Sequence, residues 1–114
     1  MNADKFTQKT IETIQTAQSM AQENGNQYLT PEHLLYALVD ADGGLIGTLL
    51  GRMGVDCNAV LSELDTAIDQ LPKVSGGSGE VYASPEVGKI FNLAEKTAEK
   101  LHDEYLSVEH LMLA

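Results

Sequence analysis

The stretch Tyr28-Leu-Thr-Pro-Glu-His-Leu34 carries the start signal of an α-helix. Thr30 stands at the cap position, and Pro31 follows where its missing N–H leaves no hydrogen bond unmade. The next glutamate lies at the positive end of the helix dipole, and the two leucines of the stretch occupy the positions of a hydrophobic staple. The stretch therefore predicts a helix that begins at Pro31 and runs to about Val39.

The same pattern returns 77 residues later as Tyr105-Leu-Ser-Val-Glu-His-Leu111. A shift of 77 residues places Thr7–Ala37 on Ser84–Ala114 without a gap, and eight of the 31 aligned positions are identical. The first copy continues to Leu71, whereas the second stops at Ala114. We therefore expect an all-α fold, a tandem pseudo-two-fold repeat of helical hairpins whose second repeat is truncated by about 34 residues.

Apolar residues recur at helical spacing before and after these hairpins. The first helix is predicted from Gln8 to about Asn24, between a Thr7 cap and Gly25. Its apolar stripe consists of Ile11, Ile14, Ala17, Met20 and Ala21. The last helix opens at Ser84-Pro-Glu86, and its predicted inward residues are Val87, Ile90, Phe91, Ala94, Ala98 and Leu101.

Two further helices are predicted between these. A short one ends at Gly54, and its predicted inward residues are Leu45, Ile46, Leu49, Leu50 and Met53. The next follows an Asp56 cap and ends at Pro72, with Val60, Leu61, Leu64, Ala67, Ile68 and Leu71 inward. No stretch shows the alternation that is typical of a β-strand.

The segment 72–83 has the composition of a linker, because it contains Ser75-Gly-Gly-Ser-Gly79. It lacks the Gly-Lys-Ser/Thr ending of a phosphate-binding loop, so we predict no nucleotide site there. The expected organisation is one domain fragment over residues 1–114, with repeat one at about 7–71 and a partial repeat two at 84–114.

The composition restricts the class of partner. Seven Lys and Arg stand against seventeen Asp and Glu, a net charge of −10 over 114 residues. Such a charge disfavours nucleic acid and anionic membrane surfaces. Between Thr10 and Pro72, Arg52 is the one basic residue against nine acids. This is typical of a solvated acidic surface, and selection of a basic partner is the alternative.

The sequence also bears on compartment and chemistry. It has no apolar run that would form a signal peptide or membrane span, so the expected compartment is the cytosol. The single cysteine, Cys57, excludes an internal disulfide and is predicted to be structural. The adjacent pairs Glu32-His33 and Glu109-His110 diverge by about 100° on a helix, which disfavours a shared metal. No catalytic constellation stands out, and we expect neither an enzyme nor a cofactor in this chain.

The two hairpin motifs, Tyr28–Leu38 and Tyr105–Ala114, resemble those of the Clp N-terminal domain, which heads ring-forming AAA+ unfoldases. The segments Leu71-Pro-Lys-Val-Ser-Gly-Gly77 and Ser84-Pro-Glu86 support the resemblance. It covers the whole chain and is closest to the disaggregase branch of the family.

The resemblance implies a mobile module that captures unfolded or aggregated polypeptides. Such a module passes them to the ATP-driven pore of a hexameric ring, with an Hsp70-type chaperone system as partner. ATP and Mg²⁺ would belong to AAA+ modules of the parent chain. An adaptor-docking domain of a degradative Clp unfoldase is the alternative, and a free-standing enzyme is a third hypothesis.

The resemblance also implies a substrate site. Family positions linked to substrate handling match Thr7, Asp103 and Glu109, and the apolar groove of the family carries over at Leu93, which lies off the apolar stripe of its helix. Thr97 and His110 stand where relatives often have leucine, which makes this groove more polar. Structural alternatives stay open, namely Thr7 as a helix cap, Glu109 as the acidic residue of a helix start, and Asp103 as a surface residue in a turn.

Overall fold

The computed structural model describes residues 7–40, 45–73, 81–100 and 111–112. Within these ranges the named helices are α1 (Gln8–Glu23), α2 (Pro31–Asp40), α3 (Leu45–Arg52), α4 (Cys57–Asp69) and α5 (Pro85–Lys100). Two short strands accompany them, β1 (Tyr28–Leu29) and β2 (Tyr82–Ala83). The predicted all-α class is confirmed.

The helices begin and end where their local signals predict. The Thr7 hydroxyl accepts a hydrogen bond from the Thr10 amide at 3.2 Å and so caps α1. The Asp56 carboxylate accepts from the amides two and three residues further on, at 3.0 and 3.3 Å. Gly25 and Gly54 follow α1 and α3 with φ of 75° and 83°, a left-handed conformation that favours glycine. The predicted helix boundaries are therefore confirmed at these positions.

The paired strands correct the expectation that strands are absent. β1 and β2 run in parallel with Tyr28 opposite Tyr82, and the Tyr82 amide donates to the Gln27 carbonyl at 3.0 Å. Strands of two residues are too short to show an alternating pattern. Their pairing joins segments far apart in the chain and is therefore invisible to local sequence patterns.

Both ends of the predicted linker contact the first repeat. Lys73 forms an isolated antiparallel bridge with Asn26, and β2 pairs with β1. Residues 74–80 lie outside the described residues. The predicted linker is thus held at its two described ends by backbone pairing.

The core consists of two apolar clusters that share α2. One cluster contains Leu38, Val39, Ile46, Ala94 and Leu111. The other contains Ala17, Leu29, Leu34, Ala37 and Val87. Helices α2 and α5 both contribute to the two clusters, and α2 also packs against α1, α3 and α4, so α2 is the central helix of the described structure. The second cluster also confirms the predicted staple, since both of its leucines are buried.

Part of the prediction for α3 is wrong, because some of the side chains predicted to lie inward are exposed. Ile46 is buried and Leu50 is half-buried, as expected. Leu45, Leu49 and Met53 are exposed, the last to 74%. Residues four apart share a helix face, so the two sets lie on neighbouring faces about 100° apart. This short helix packs one of these faces against the core and leaves the other outward.

The two repeats bury side chains at four equivalent described positions. Thr10, Ala17, Ala21 and Leu34 are buried, and so are their counterparts Val87, Ala94, Ala98 and Leu111. Ser84 repeats the cap of α1, because its hydroxyl accepts from the Val87 amide at 3.2 Å. Leu101, predicted to lie inward, is outside the described residues.

The described helices are short or polar relative to a membrane span. No single helix there is long and apolar enough to cross a bilayer, and the pair of α2 and α3, bent by 79°, meets that test only jointly and by length and composition alone.

Candidate functional site

The solvent face of α5 carries two of the predicted site residues. Leu93 is 51% exposed, as its position off the apolar stripe predicts. Thr97 lies four residues further on the same face, and its hydroxyl donates to the Leu93 carbonyl at 2.9 Å. The structure therefore brings these two residues together as an apolar side chain beside a hydroxyl that is bonded to the helix backbone.

Thr7 lies at the start of α1 and acts as its cap. Besides the Thr10 amide, its hydroxyl contacts the Thr10 hydroxyl at 2.8 Å. Pseudo-symmetry predicts that α1 and α5 lie side by side. Ala17 of α1 and Val87 of α5 belong to the same buried cluster, while α1 also packs along α2 and α5 contacts α2 and β2. The cap role of Thr7 is confirmed, and its role toward a substrate stays a prediction.

The remaining predicted site residues, Asp103, Glu109 and His110, lie outside the described residues. Their sequence counterparts in the first repeat are Asn26, Glu32 and His33.

His33 is fully buried, and both of its ring nitrogens are hydrogen-bonded. The Thr30 amide donates to Nδ1 at 3.0 Å, and the Thr30 hydroxyl lies 2.9 Å from the same atom. Nε2 lies 3.1 Å from the side-chain oxygen of Asn26. Because Nδ1 accepts from an amide, Nε2 carries the proton and donates to Asn26, so the imidazole is neutral.

The bonds of His33 extend to the end of α4. The Asn26 amide group donates to the Pro72 carbonyl at 3.1 Å. Asn24 donates to the Asn26 side-chain oxygen at 3.0 Å and to the Ile68 carbonyl at 3.2 Å. We call the side chains of Asn24, Asn26, Thr30 and His33 the His33 network. It ties the turn after α1, the start of α2 and the end of α4 to one another.

Sequence reasoning missed this network. His33 stands three residues after the Thr30 cap, the position at which a glutamate or glutamine closes a capping box. That spacing was the available signal. The partners at Ile68 and Pro72 are more than forty residues away, and local patterns could not have found them.

Burial sets the protonation behaviour of His33. Desolvation lowers its pKa, and the neighbouring carboxylate of Glu32 opposes this with a smaller upward effect. Protonation of Nδ1 would also leave it unable to accept from the Thr30 amide. Geometry and burial therefore both favour the neutral ring.

A small cavity of about 130 Å³ adjoins the His33 network. Its lining comprises Asn26, Gln27, Tyr28, Thr30, Leu71 and Pro72. Two members of the network, Asn26 and Thr30, and Pro72, whose carbonyl accepts from Asn26, thus belong to the cavity wall.

Two further side chains with titratable groups, Tyr36 and Cys57, are partly buried. Burial raises the pKa of Tyr36, and the carboxylates of Asp40 and Asp65 add to the shift. The Cys57 thiol is half-buried and donates to the Gly47 carbonyl at 3.6 Å, which agrees with the predicted structural role. Within the part of the chain that the structure describes, no three metal-binding side chains lie together.

The arrangement of capped, repeated hairpins matches a known family. The profile of the Clp repeat (R) N-terminal domain matches residues 5–114. The chain belongs to the Clp N-terminal domain family. It is 43% identical over its whole length to the chaperone protein ClpB of Brucella suis biovar 1 (strain 1330) and to that of Vibrio cholerae serotype O1. It spans 13% of the length of these relatives.

Solved structures show the same fold. The Hsp104 N-terminal domain from Candida albicans superposes with a TM-score of 0.86 at 23% identity, over 95% of this chain and 71% of that chain. The N-terminal domain of the ClpV1 ATPase from E. coli superposes with a TM-score of 0.85 at 20% identity, over 95% and 65%. These likenesses establish the fold of the described chain as that of a Clp N-domain.

Proposed function

We propose that this chain is the substrate-capturing N-terminal module of an ATP-dependent protein disaggregase. It binds unfolded or aggregated segments and delivers them to a hexameric AAA+ ring in the same parent protein. ATP and Mg²⁺ act in the ring modules, and an Hsp70-type chaperone system works with the parent in the cytoplasm. Family membership and the 43% identity to ClpB chaperones support the proposal.

The observation that carries the binding role is the exposure of Leu93. Because about half of the Leu93 side chain is exposed, it offers apolar area to a client segment. The core is not disturbed, since the buried residues of α5 are Val87, Ala94 and Ala98. Adjacent Thr97 uses its hydroxyl within the helix, so approach of an apolar segment does not have to strip that donor of water.

Charge supports a preference among clients. The chain carries a net charge of −10, and unfolded segments that combine apolar and basic residues match both the apolar spot at Leu93 and the acidic field. Asp103 and Glu109 are proposed to add local negative charge, and His110 is proposed to border the groove. These three roles follow from the family resemblance.

The test replaces Leu93 by glutamate, with Asn92→Glu as the matched control. Asn92 is an exposed neighbour on the same helix, so the control adds the same charge on a different face. Half of the burial energy of a leucine is about 1 kcal/mol, or roughly a fivefold change in Kd. We expect Leu93→Glu to raise the Kd for a labelled, permanently unfolded polypeptide at least fivefold, measured by fluorescence anisotropy.

The control is expected to bind within twofold of the parent chain. Far-UV circular dichroism should be alike for all three proteins, since neither side chain is buried. Equal affinities of Leu93→Glu and the parent for the unfolded polypeptide would contradict a client site on this face. Binding of a folded adaptor in place of the unfolded chain would favour the degradative alternative.

A further inference from the structure

The His33 network has a geometry that responds to a proton. His33 is fully buried, and its Nδ1 accepts a hydrogen bond from the Thr30 amide at 3.0 Å. A second proton on the ring would be placed on that same atom. Two donors would then face each other across 3.0 Å, and the hydrogen bond that closes the start of α2 would be lost.

Protonation of His33 would also affect contacts outside α2. Nε2 of His33 holds the Asn26 side-chain oxygen, and Asn26 in turn holds the Pro72 carbonyl. Asn26 also bridges Lys73 through its backbone. Movement of the imidazole therefore disturbs the contact between the α1–α2 turn and the end of α4, together with the wall of the adjoining cavity.

We propose that His33 is a proton-sensitive switch: uptake of one proton by its imidazole opens the junction between the α1–α2 turn and the end of α4. The proton comes from solvent and binds Nδ1, and no other bond is made or broken covalently. This proposal is independent of the client-binding function.

Burial and hydrogen bonding affect the protonation of His33 more strongly than the neighbouring charge of Glu32 does. Glu32, next to His33 on α2, carries the charge that favours protonation, and its effect is smaller than that of desolvation. The ring's hydrogen-bond partners outside α2, in Thr30 and Asn26, are uncharged. Among the charged residues on the elements packed around α2, Glu95 of α5 is half-buried, and the exposed ones include Glu23, Asp69, Lys73, Arg52, Glu86 and Lys89.

The direction of the effect follows from proton linkage. An unfolded histidine has a pKa of about 6.5, and the folded value is lower because of burial. Between these two values the unfolded chain binds a proton that the folded chain does not. The stability due to neutral His33 is therefore complete above about pH 6.5 and falls as the pH drops toward the folded pKa, by up to about tenfold in the unfolding constant per pH unit.

The matched variant is His33→Gln, since glutamine can close the capping box and does not titrate. Its amide oxygen can accept from the Thr30 amide, and its NH₂ can donate to Asn26. Urea unfolding of the 114-residue chain is measured from pH 8 to pH 5. The ratio of unfolding constants, parent to variant, should rise as the pH falls below about 6.5, up to a limit of about thirtyfold at pH 5 that the unfolded pKa sets. Taking this ratio cancels the contributions of the other titrating groups.

Nuclear magnetic resonance of the unaltered chain keeps the test decisive if the variant does not fold. At pH 8 the imidazole ¹⁵N shifts should report the Nε2–H tautomer of His33. Acidification should then change the amide signals of Thr30, Asn26 and Lys73 at the same midpoint as the His33 ring. A ratio that does not depend on pH, or a His33 titration that leaves those amides unchanged, would overturn the proposal.

Discussion

Replacement of Asn26 by alanine should destabilise this chain more than any cap variant. The Asn26 side chain is almost fully buried and joins three partners within 3.1 Å. Its removal leaves Nε2–H of His33 without an acceptor in a buried site. Asn24 keeps its hydrogen bond to the Ile68 carbonyl. The carbonyl of Pro72, an exposed residue, can accept a hydrogen bond from water in place of the one from Asn26.

The loss of unfolding free energy in Asn26→Ala can be estimated from the separate hydrogen bonds that are lost. An unpaired buried donor costs about 1–3 kcal/mol, and each lost hydrogen bond a further 1 kcal/mol or so. The expected loss of unfolding free energy is therefore about 2–4 kcal/mol. For a domain of this size that corresponds to a fall in Tm of about 10 °C or more.

The assay is urea unfolding followed by far-UV circular dichroism, with linear extrapolation to water. Thr66→Ala serves as the control, because it also removes a hydrogen bond, from the Thr66 hydroxyl to the Ser62 carbonyl at 3.1 Å, but at an exposed site. It should change stability by no more than about 0.5 kcal/mol. An Asn26→Ala loss as small as that of the control would show that the network contributes nothing to stability and would refute the reasoning.

Two smaller predictions concern local backbone signals. Thr7→Ala should cost about 1 kcal/mol in urea unfolding, because it removes the cap of α1, while client affinity stays unchanged if capping is its whole role. Gly25→Ala should destabilise by about 1 kcal/mol, since φ is 75° there, whereas Gly51→Ala, at an exposed position of α3 with open space around the new methyl, should stabilise by about 0.5–1 kcal/mol. Equal Tm shifts for the two glycine variants would contradict the left-handed assignment.

Several features of the fold could be predicted from short-range sequence signals. The caps at Thr7 and Asp56 and the left-handed glycines depend on contacts within three or four residues, so the residue types carry the information. The 77-residue repeat is also visible in the sequence alone, and four of its described pairs are buried in both copies. The exposure of Leu93 followed from its place beside the apolar stripe of α5.

The spacing of apolar residues predicted burial less reliably where two faces of a helix are both apolar. The sequence of α3 offers Leu45 and Leu49 on one face and Ile46 and Leu50 on the next, and periodicity cannot choose between them. The neighbouring elements make that choice, since Ile46 packs with Leu38 of α2 and leaves Leu45 exposed. The buried Thr10 and Thr13 likewise escaped a search for apolar stripes.

The sequence by itself determined the helices, their ends, the repeat and the family, because each depends on neighbouring residues or on similarity along the chain. Only the tertiary structure decided the β1–β2 pairing and the His33 network. Asn24 meets Ile68 across 44 positions, and Asn26 meets Pro72 across 46. A buried polar side chain takes whichever donor or acceptor the folded chain brings within reach, and that partner is chosen by packing rather than by local pattern.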